Sequence, residues 1–585
     1  MILQALTEHY EALAAQGKFT NLGWGKSNIS FALRINDAGE LTQVVDVRTP
    51  PKSGKGKMIP RSIDLPSPPN GRTSLAVKPA FLWDNARYLL GIDNKGKAQQ
   101  SIQCFEGSRT FYHQLLDGVE SPAAKAVLNF FDCWDPSQAR EHPALADSLD
   151  EILKGVNLIF RYESAYVHED PLIQQAWTDF YDHDVEEDSC EMVCLVTGKK
   201  GPVERTHPKI KKNGDSDWQP MGNTLVGFNA PAFCSYGHTQ SFNAPVSRYA
   251  AFAYTTALND LLADREHLYR VGNTTVLFWA KSGQPAFQDF FAAMAFGGTA
   301  CYDAGTLGGM LKSLLEGKPV LYDETRLDPG MDFYILGISP NAARLSVRFF
   351  LRNSFGGFLE NVQRHNDRLE IIRPANDSFE SIPPWKLVDA TVNQNSKDKS
   401  PSPVMTGEVL RAILTDTHYP ASLLNGVTLR IRADHKVDRT RAAILKAYYL
   451  KKPHPDIPKE VLTVSLNPAC DTPAYVLGRL FSVYEAIQSA ANPGINTTIK
   501  DKYFNSAAAT PAVIFPILGN LAQKHLKKLK SSNRGLCVFY EKQLGEVASL
   551  LDTSFPARMS LPQQGAFQLG YYHQTQDRYQ KKEDK

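Results

Sequence analysis

The feature that most constrains this chain is a change of pattern around residues 391–404. That stretch, TVNQNSKDKSPSPV, is polar, contains Pro and Ser, and has no apolar periodicity, which is the composition of a linker. Before it, strand and helix patterns are mixed. After it, apolar residues recur at helical spacing. Tyr475 to Ala491 has no internal Pro and places Val476, Leu480, Val483 and Ile487 on one face. Pro511 to Lys530 does the same with Val513, Ile514, Ile517, Leu518 and Leu521, and Pro516 is expected to kink its first turns. The pattern predicts an α+β protein: a mixed α/β N-terminal domain over 1–390, a linker over 391–404, and a C-terminal α-helical bundle over 405–585. A chain of 585 residues is in any case too long for one hydrophobic core.

Within the first part, Ile29, Phe31, Leu33 and Ile35 alternate with other residues, Asn36-Asp37-Ala38-Gly39 supplies a turn, and Leu41 to Val47 returns, which predicts a hairpin. Ser121-Pro122 is an N-cap and first-turn pair for a helix whose apolar face is Val127, Leu128, Phe131 and Trp134. Met192 to Thr197 and Thr274 to Ala280 read as buried strands. Asp332 to Ile338 reads as another, with Ser339-Pro340 capping a helix that reaches about Asn353. Ile2, Leu3, Leu6, Tyr10 and Leu13 at helical spacing predict an opening amphipathic helix rather than a signal peptide. No run approaches 18 apolar residues, so no membrane span is expected. Eight scattered cysteines suit a reducing cytoplasm.

Enzyme signatures are mostly absent. There is no G-x-x-x-x-G-K-[ST] phosphate loop, no H-E-x-x-H and no G-x-S-x-G. Cys190 and Cys194 with His207 offer zinc-type ligands, but strand cysteines are more commonly just buried. His183-Asp184 is a lone dipeptide. No catalytic residue, metal or cofactor is assigned, and a non-enzyme is expected.

Basic and acidic residues nearly balance, 64 against 62, so local charge matters more than the total. A Gly/Pro-rich loop carries Arg48, Lys52, Lys55, Lys57, Arg61, Arg72 and Lys78 with only Asp64 among the acids, and Asn70, Arg72 and Thr73 have side chains that contact base edges. The bland reading is a solvated loop. Arg344, Arg348 and Arg352 are spaced to share one face of the expected helix, either for a phosphate backbone or for carboxylates such as Asp332. A further basic stretch holds Lys199, Lys200, Arg205, His207, Lys209, Lys211 and Lys212. Lys524, Lys527, Lys528 and Lys530 with Arg534 close a long C-terminal helix, where the helix dipole alone favours one or two cations. Asn229 and Asn243, each before Ala-Pro, are either base readers or turn residues.

Seven segments, collinear from Met1 to Gln574, resemble the large subunit of type I-C CRISPR complexes. They are MILQALTEHYEAL, CLVTGKKGPVERTHPKIK, LVGFNAPAFCSYGHTQSFNAPVSRYAAFAYTTALNDLL, YILGISPNAARLSVRFF, LGRLFSVYEAIQ, YFNSAAATPA and FQLGYYHQ. The resemblance implies membership of Cascade, in which a CRISPR RNA pairs with target DNA. Its large subunit recognises the protospacer-adjacent motif in duplex DNA, helps open the helix, stabilises the R-loop and offers a docking surface to a helicase-nuclease that cuts in trans. Implied partners are the CRISPR RNA, target double-stranded DNA, the Cascade backbone and 5′-end cap subunits, and a small helical subunit. The C-terminal bundle resembles such a small subunit, which in these systems can be translated internally; here its start would be Met405 or a non-AUG codon. Lining the displaced strand is then a role for Lys524 to Lys530. Base pairing supplies most of the sequence selectivity in such a machine, so the protein needs few base-reading side chains. The rival readings are a nucleic-acid-processing nuclease and a scaffold that touches protein only.

Overall fold

The computed structural model describes residues 1–580 apart from 20–22, 51–57, 68–76, 95, 184–189, 213–217, 265–266, 298–301, 398 and 552–553, and apart from the side chains of residues 182 and 183. The α+β class holds. The chain forms two compact units: Met1–Ala263 with Ala342–Leu345, and Asp264–Asn341 with Ser346–Lys585. Residues 391–402 carry no helix or strand in their described part, and helix resumes at Pro403 inside the second unit.

The predicted hairpin is present. β1 (Trp24–Ile29) leads into β2 (Phe31–Ile35), and β2 pairs antiparallel with β3 (Leu41–Asp46). The turn is closed by Asn36, whose Oδ1 accepts the Glu40 amide at 2.8 Å. β4 (Arg61–Pro66) pairs antiparallel with β1. β5 (Trp83–Asn85), β6 (Asn157–Tyr162) and β7 (Ala165–Tyr166) complete a sheet of order β3-β2-β6-β5, with β7 on β6 and β2 parallel to β6. Alternation puts Phe31, Leu33 and Phe160 into a core shared with Tyr112, Phe130 and Phe131. The helix Pro122–Cys133 starts as predicted: Ser121 Oγ accepts from the Ala124 amide at 3.3 Å and donates to Asp170 at 2.6 Å. The opening helix Ile2–Ala15 packs on the helix Arg248–Ala263, with Tyr10 edge-on to Phe252 and the Tyr249 hydroxyl donating to Glu11 at 3.0 Å.

The expected buried strand Met192–Thr197 is shorter and lies at the surface, with Val193 and Leu195 exposed. β8 (Glu191–Val193) pairs with β9 (Lys200–Pro202), and the chain turns between them. Cys194 is the reason: its sulfur accepts the amides of Val196 at 3.4 Å, Thr197 at 3.5 Å and Ser247 at 3.2 Å. Burial pushes this thiol up, but those donors outweigh it and bring it down to about 7.

In the second unit, β10 (Leu268–Val271), β11 (Thr274–Ala280), β14 (Asp332–Asn341) and β15 (Arg344–Ser354) form a sheet in that order, and β12 (Val320–Tyr322) pairs with β13 (Thr325–Leu327). All seven residues of β11 are buried, as expected of Thr274–Ala280. The helix expected after Ser339-Pro340 is absent. Asp332 to Asn341 runs on as one strand, Ala342 turns with φ +50°, and the chain returns as β15. Leu345 and Phe349 are buried and Leu351 half-buried on one face of the strand, with Val347 on that same face exposed. Residues four apart share a face in a strand as well as in a helix, so the arginine spacing fits both.

The bundle contains the predicted helices as Pro473–Ala491 and Pro511–Ser532, the latter continuous through Pro516. Pro473–Ala491 lies nearly backbone to backbone with Leu561–Asp577: a Cβ on Gly478 would sit 1.9 Å from the Phe567 carbonyl oxygen, and one on Gly570 2.1 Å from that of Tyr475. The pair is tied by Tyr475 to His573 at 2.9 Å, Arg479 to Gln574 at 3.0 Å and Tyr571 to Glu485 at 2.6 Å.

Candidate nucleic-acid interface

The basic stretch after β9 is held so that its lysines face outward. Ile210 is buried and exchanges both backbone hydrogen bonds with Asn223 at 2.8 Å, which leaves Lys209 and Lys211 on either side of it. Asn259, on the helix Arg248–Ala263, accepts from the Lys211 amide at 2.8 Å and donates to the Lys209 carbonyl at 3.3 Å. Gly222 has φ +85°, and a Cβ there would meet Lys209 Cβ at 2.8 Å, so only glycine lets this turn lie against the lysine segment. Next to it, the Asn223 side chain donates to the carbonyls of Ala342 at 2.8 Å and Arg344 at 3.2 Å, and the Thr224 and Leu345 amides complete the link at 2.9 and 3.0 Å. Arg344 is thereby carried to the lysine segment.

The result is a cavity of about 160 Å³ whose lining includes Arg205, His207, Lys209, Asn229, Gln240 and Arg344 and, among the described residues, no carboxylate. Three side chains picked out separately in the sequence, Lys209, Asn229 and Arg344, thus meet at one place. Here they face neutral groups. Arg344 hydrogen-bonds the Asn229 side-chain oxygen and lies over the Phe233 ring at 4.4 Å, and Lys209 donates to Thr224 Oγ1 at 2.5 Å. Cations gathered around a cavity without a carboxylate repel one another unless an anion or water screens them, and this local field attracts a polyanion. His207 forms the buried wall: desolvation lowers it to about 4, so the ring is neutral near pH 7. Its Nδ1 pairs with the Tyr254 hydroxyl at 2.6 Å, while Nε2 has no partner among the described residues.

Lys52, Lys55, Lys57, Asn70, Arg72 and Thr73 lie outside the described residues. Of that loop's other members, Arg61 heads β4, exposed, with its guanidinium 5.9 Å from the Tyr166 ring centre, and Lys78 is half-buried. Arg48 is turned inward: it pairs with Asp46 at 2.8 Å and Glu151 at 3.2 Å and covers Phe31. Arg352 likewise pairs with Asp332 at 3.0 Å, the carboxylate weighed as its bland alternative, and Arg348 donates to Ser339 at 3.0 Å. Lys212 lies 5.7 Å from the Trp218 ring centre. Asn243 serves its own loop, accepting from the Ser235 amide at 2.7 Å and donating to the His238 and Gln240 carbonyls. Lys524, Lys527, Lys528 and Lys530 lie along Pro511–Ser532, Lys528 donating to Asn492 at 2.7 Å.

The zinc combination is not assembled. Cys194 is enclosed by amides, His207 by Tyr254, and among the described residues no three His, Cys, Asp or Glu side chains are grouped to hold a metal. The side chain of His183 and all of Asp184 lie outside the described residues. A larger cavity of about 640 Å³ mixes Glu8 and Glu11 with Lys199, Lys200 and Arg248, so its charges largely cancel. No helix among the described residues is long and apolar enough to cross a membrane. Sequence reasoning missed Gln240 and Phe233 as parts of the site. The signal available was their position inside the segment bounded by the two Asn-Ala-Pro motifs.

Fold and site together define an α+β protein that gathers arginine and lysine around a cavity lined, among the described residues, by no carboxylate. The chain belongs to the family described as CRISPR-associated protein (Cas_Csd1), whose model matches residues 6–579. No curated protein matches it.

Proposed function

We propose that this chain is the non-catalytic large subunit of a type I-C CRISPR RNA-guided complex. In this reading it recognises the protospacer-adjacent motif in duplex DNA, promotes strand opening and stabilises the R-loop. It works on a Cascade backbone with a 5′-end cap subunit and a small helical subunit, and it helps recruit a helicase-nuclease in trans. The observation that carries the reading is the meeting of Lys209 and Arg344, with Asn229, around a cavity whose lining among the described residues has no carboxylate. Family membership supports the CRISPR setting. Cations that position a backbone, beside a few amide side chains, are what a protein needs when a guide RNA does the sequence reading. The lysines of Pro511–Ser532 suit a displaced strand.

The test is a complex assembled on guide RNA with Arg205, Lys209 and Arg344 changed to alanine. Guide RNA loading should be preserved, and duplex target affinity should fall by about tenfold or more. Unchanged affinity rejects the site. A parallel set with Lys52, Lys55, Lys57, Arg61 and Arg72 changed to alanine asks the same of the basic Gly/Pro-rich loop, the first candidate from the sequence for reading the adjacent motif. Multiple-turnover cleavage of DNA or RNA by the purified chain with Mg²⁺ or Mn²⁺, abolished by a single side-chain change, would establish the rival nuclease reading.

A further inference from the structure

The loop that borders the basic cavity carries an aromatic side chain turned almost wholly to solvent. Tyr236 is 98% exposed. Its backbone is nevertheless closely held. The His238 amide bonds the Ser235 carbonyl at 3.0 Å across Tyr236 and Gly237, both with positive φ (+53° and +75°), so the two form the centre of a left-handed tight turn. Glycine, asparagine and aspartate are the usual residues there, and a tyrosine is disfavoured. Asn243 braces the turn through its three hydrogen bonds. The loop's two feet, Asn229 and Gln240, line the cavity, and Phe233 supports the Arg344 guanidinium. A strained, braced turn that lifts a tyrosine into solvent beside a cluster of cations combines an aromatic platform with a phosphate-attracting floor. Proteins that hold unpaired nucleic-acid strands use that combination.

We propose that Tyr236 stacks on an unpaired nucleobase while Lys209 and Arg344 hold a phosphate of the same strand. The proposal rests on the nucleic-acid reading above and adds to it a single-stranded ligand and a named stacking residue. The surroundings match such a ligand: the tyrosine stands only four residues from the cavity rim at Gln240, so a strand whose phosphate lies over Lys209 and Arg344 has a base within its reach.

The experiment uses the assembled complex with 2-aminopurine placed one position at a time, in one arm in the target strands and in the other in the guide RNA. Stacking on tyrosine quenches the probe. At one position the wild-type complex should quench it, Tyr236→Ala should restore its fluorescence and Tyr236→Trp should keep it quenched. Binding of the opened target should weaken by roughly 5- to 150-fold in the alanine variant. The responding arm identifies the base as DNA or RNA. If no position in either arm responds to Tyr236→Ala, the proposal is overturned, and the basic-cavity reading still stands if the Lys209→Ala and Arg344→Ala variants lose target affinity. If those too bind as wild type, both fail. Loss of complex assembly in Tyr236→Ala with Tyr236→Trp unable to restore it makes the tyrosine a protein contact and also overturns the proposal.

Discussion

Single residues show where charge is used for structure and where it is left for a ligand. His267 is the clearest structural case. Its Nε2 pairs with Asp289 at 2.5 Å and its Nδ1 with Asp264; burial lowers the imidazole, but the two carboxylates outweigh it and raise it to about 9. A group whose folded value is raised adds stability below its unfolded value, near 6.5, and loses it as pH rises toward the folded value. Chemical denaturation should therefore show stability declining between about pH 6.5 and pH 9, and His267→Gln should flatten that slope. An unchanged slope would refute the assignment. Arg48 and Arg352 are committed in the same way to Asp46, Glu151 and Asp332, whereas Lys209 and Arg344 face neutral groups. All of these read equally as basic positions in the sequence, because the carboxylate or its absence is decided by tertiary placement. The link that brings Arg344 to Lys209 runs through Asn223, which is 121 positions from Arg344 in the chain.

At the scale of elements, the helices Ile2–Ala15, Pro122–Cys133, Pro473–Ala491 and Pro511–Ser532 and the first hairpin were legible, since capping residues and apolar period act locally. The stretch Arg344–Ser354 was not. Its arginines repeat every four residues, which suits a helix face and a strand face equally, and so does the spacing of the buried Leu345 and Phe349; what fixes the strand is its place beside β14 in the sheet, a tertiary pairing. Also invisible locally was the closeness of Pro473–Ala491 and Leu561–Asp577, which depends on two glycines far apart in the sequence, Gly478 and Gly570. Gly478→Ala or Gly570→Ala forces the helices apart and should cost about 1–3 kcal/mol or more. Gly545→Ala, in the helix Arg534–Ala548 where a Cβ meets nothing within 4 Å, should instead be neutral or stabilise by up to about 1 kcal/mol. Calorimetry on the three variants separates the outcomes. Equal melting temperatures for Gly478→Ala and Gly545→Ala would contradict the close packing.

For the whole molecule, a near-neutral charge total coexists with a local concentration of cations, the distribution that the proposed role in a guide-RNA complex calls for. The most direct measurement is the salt dependence of target affinity for complexes containing single variants. Removing one cation that neutralises a phosphate should make the slope of log K against log [salt] shallower by about 0.9 for duplex DNA. Lys209→Ala and Arg344→Ala should each show that change, while Arg48→Ala and Arg352→Ala, whose cations are already paired with carboxylates, should keep the wild-type slope. Identical slopes for all four, or a change confined to the paired arginines, would contradict the account.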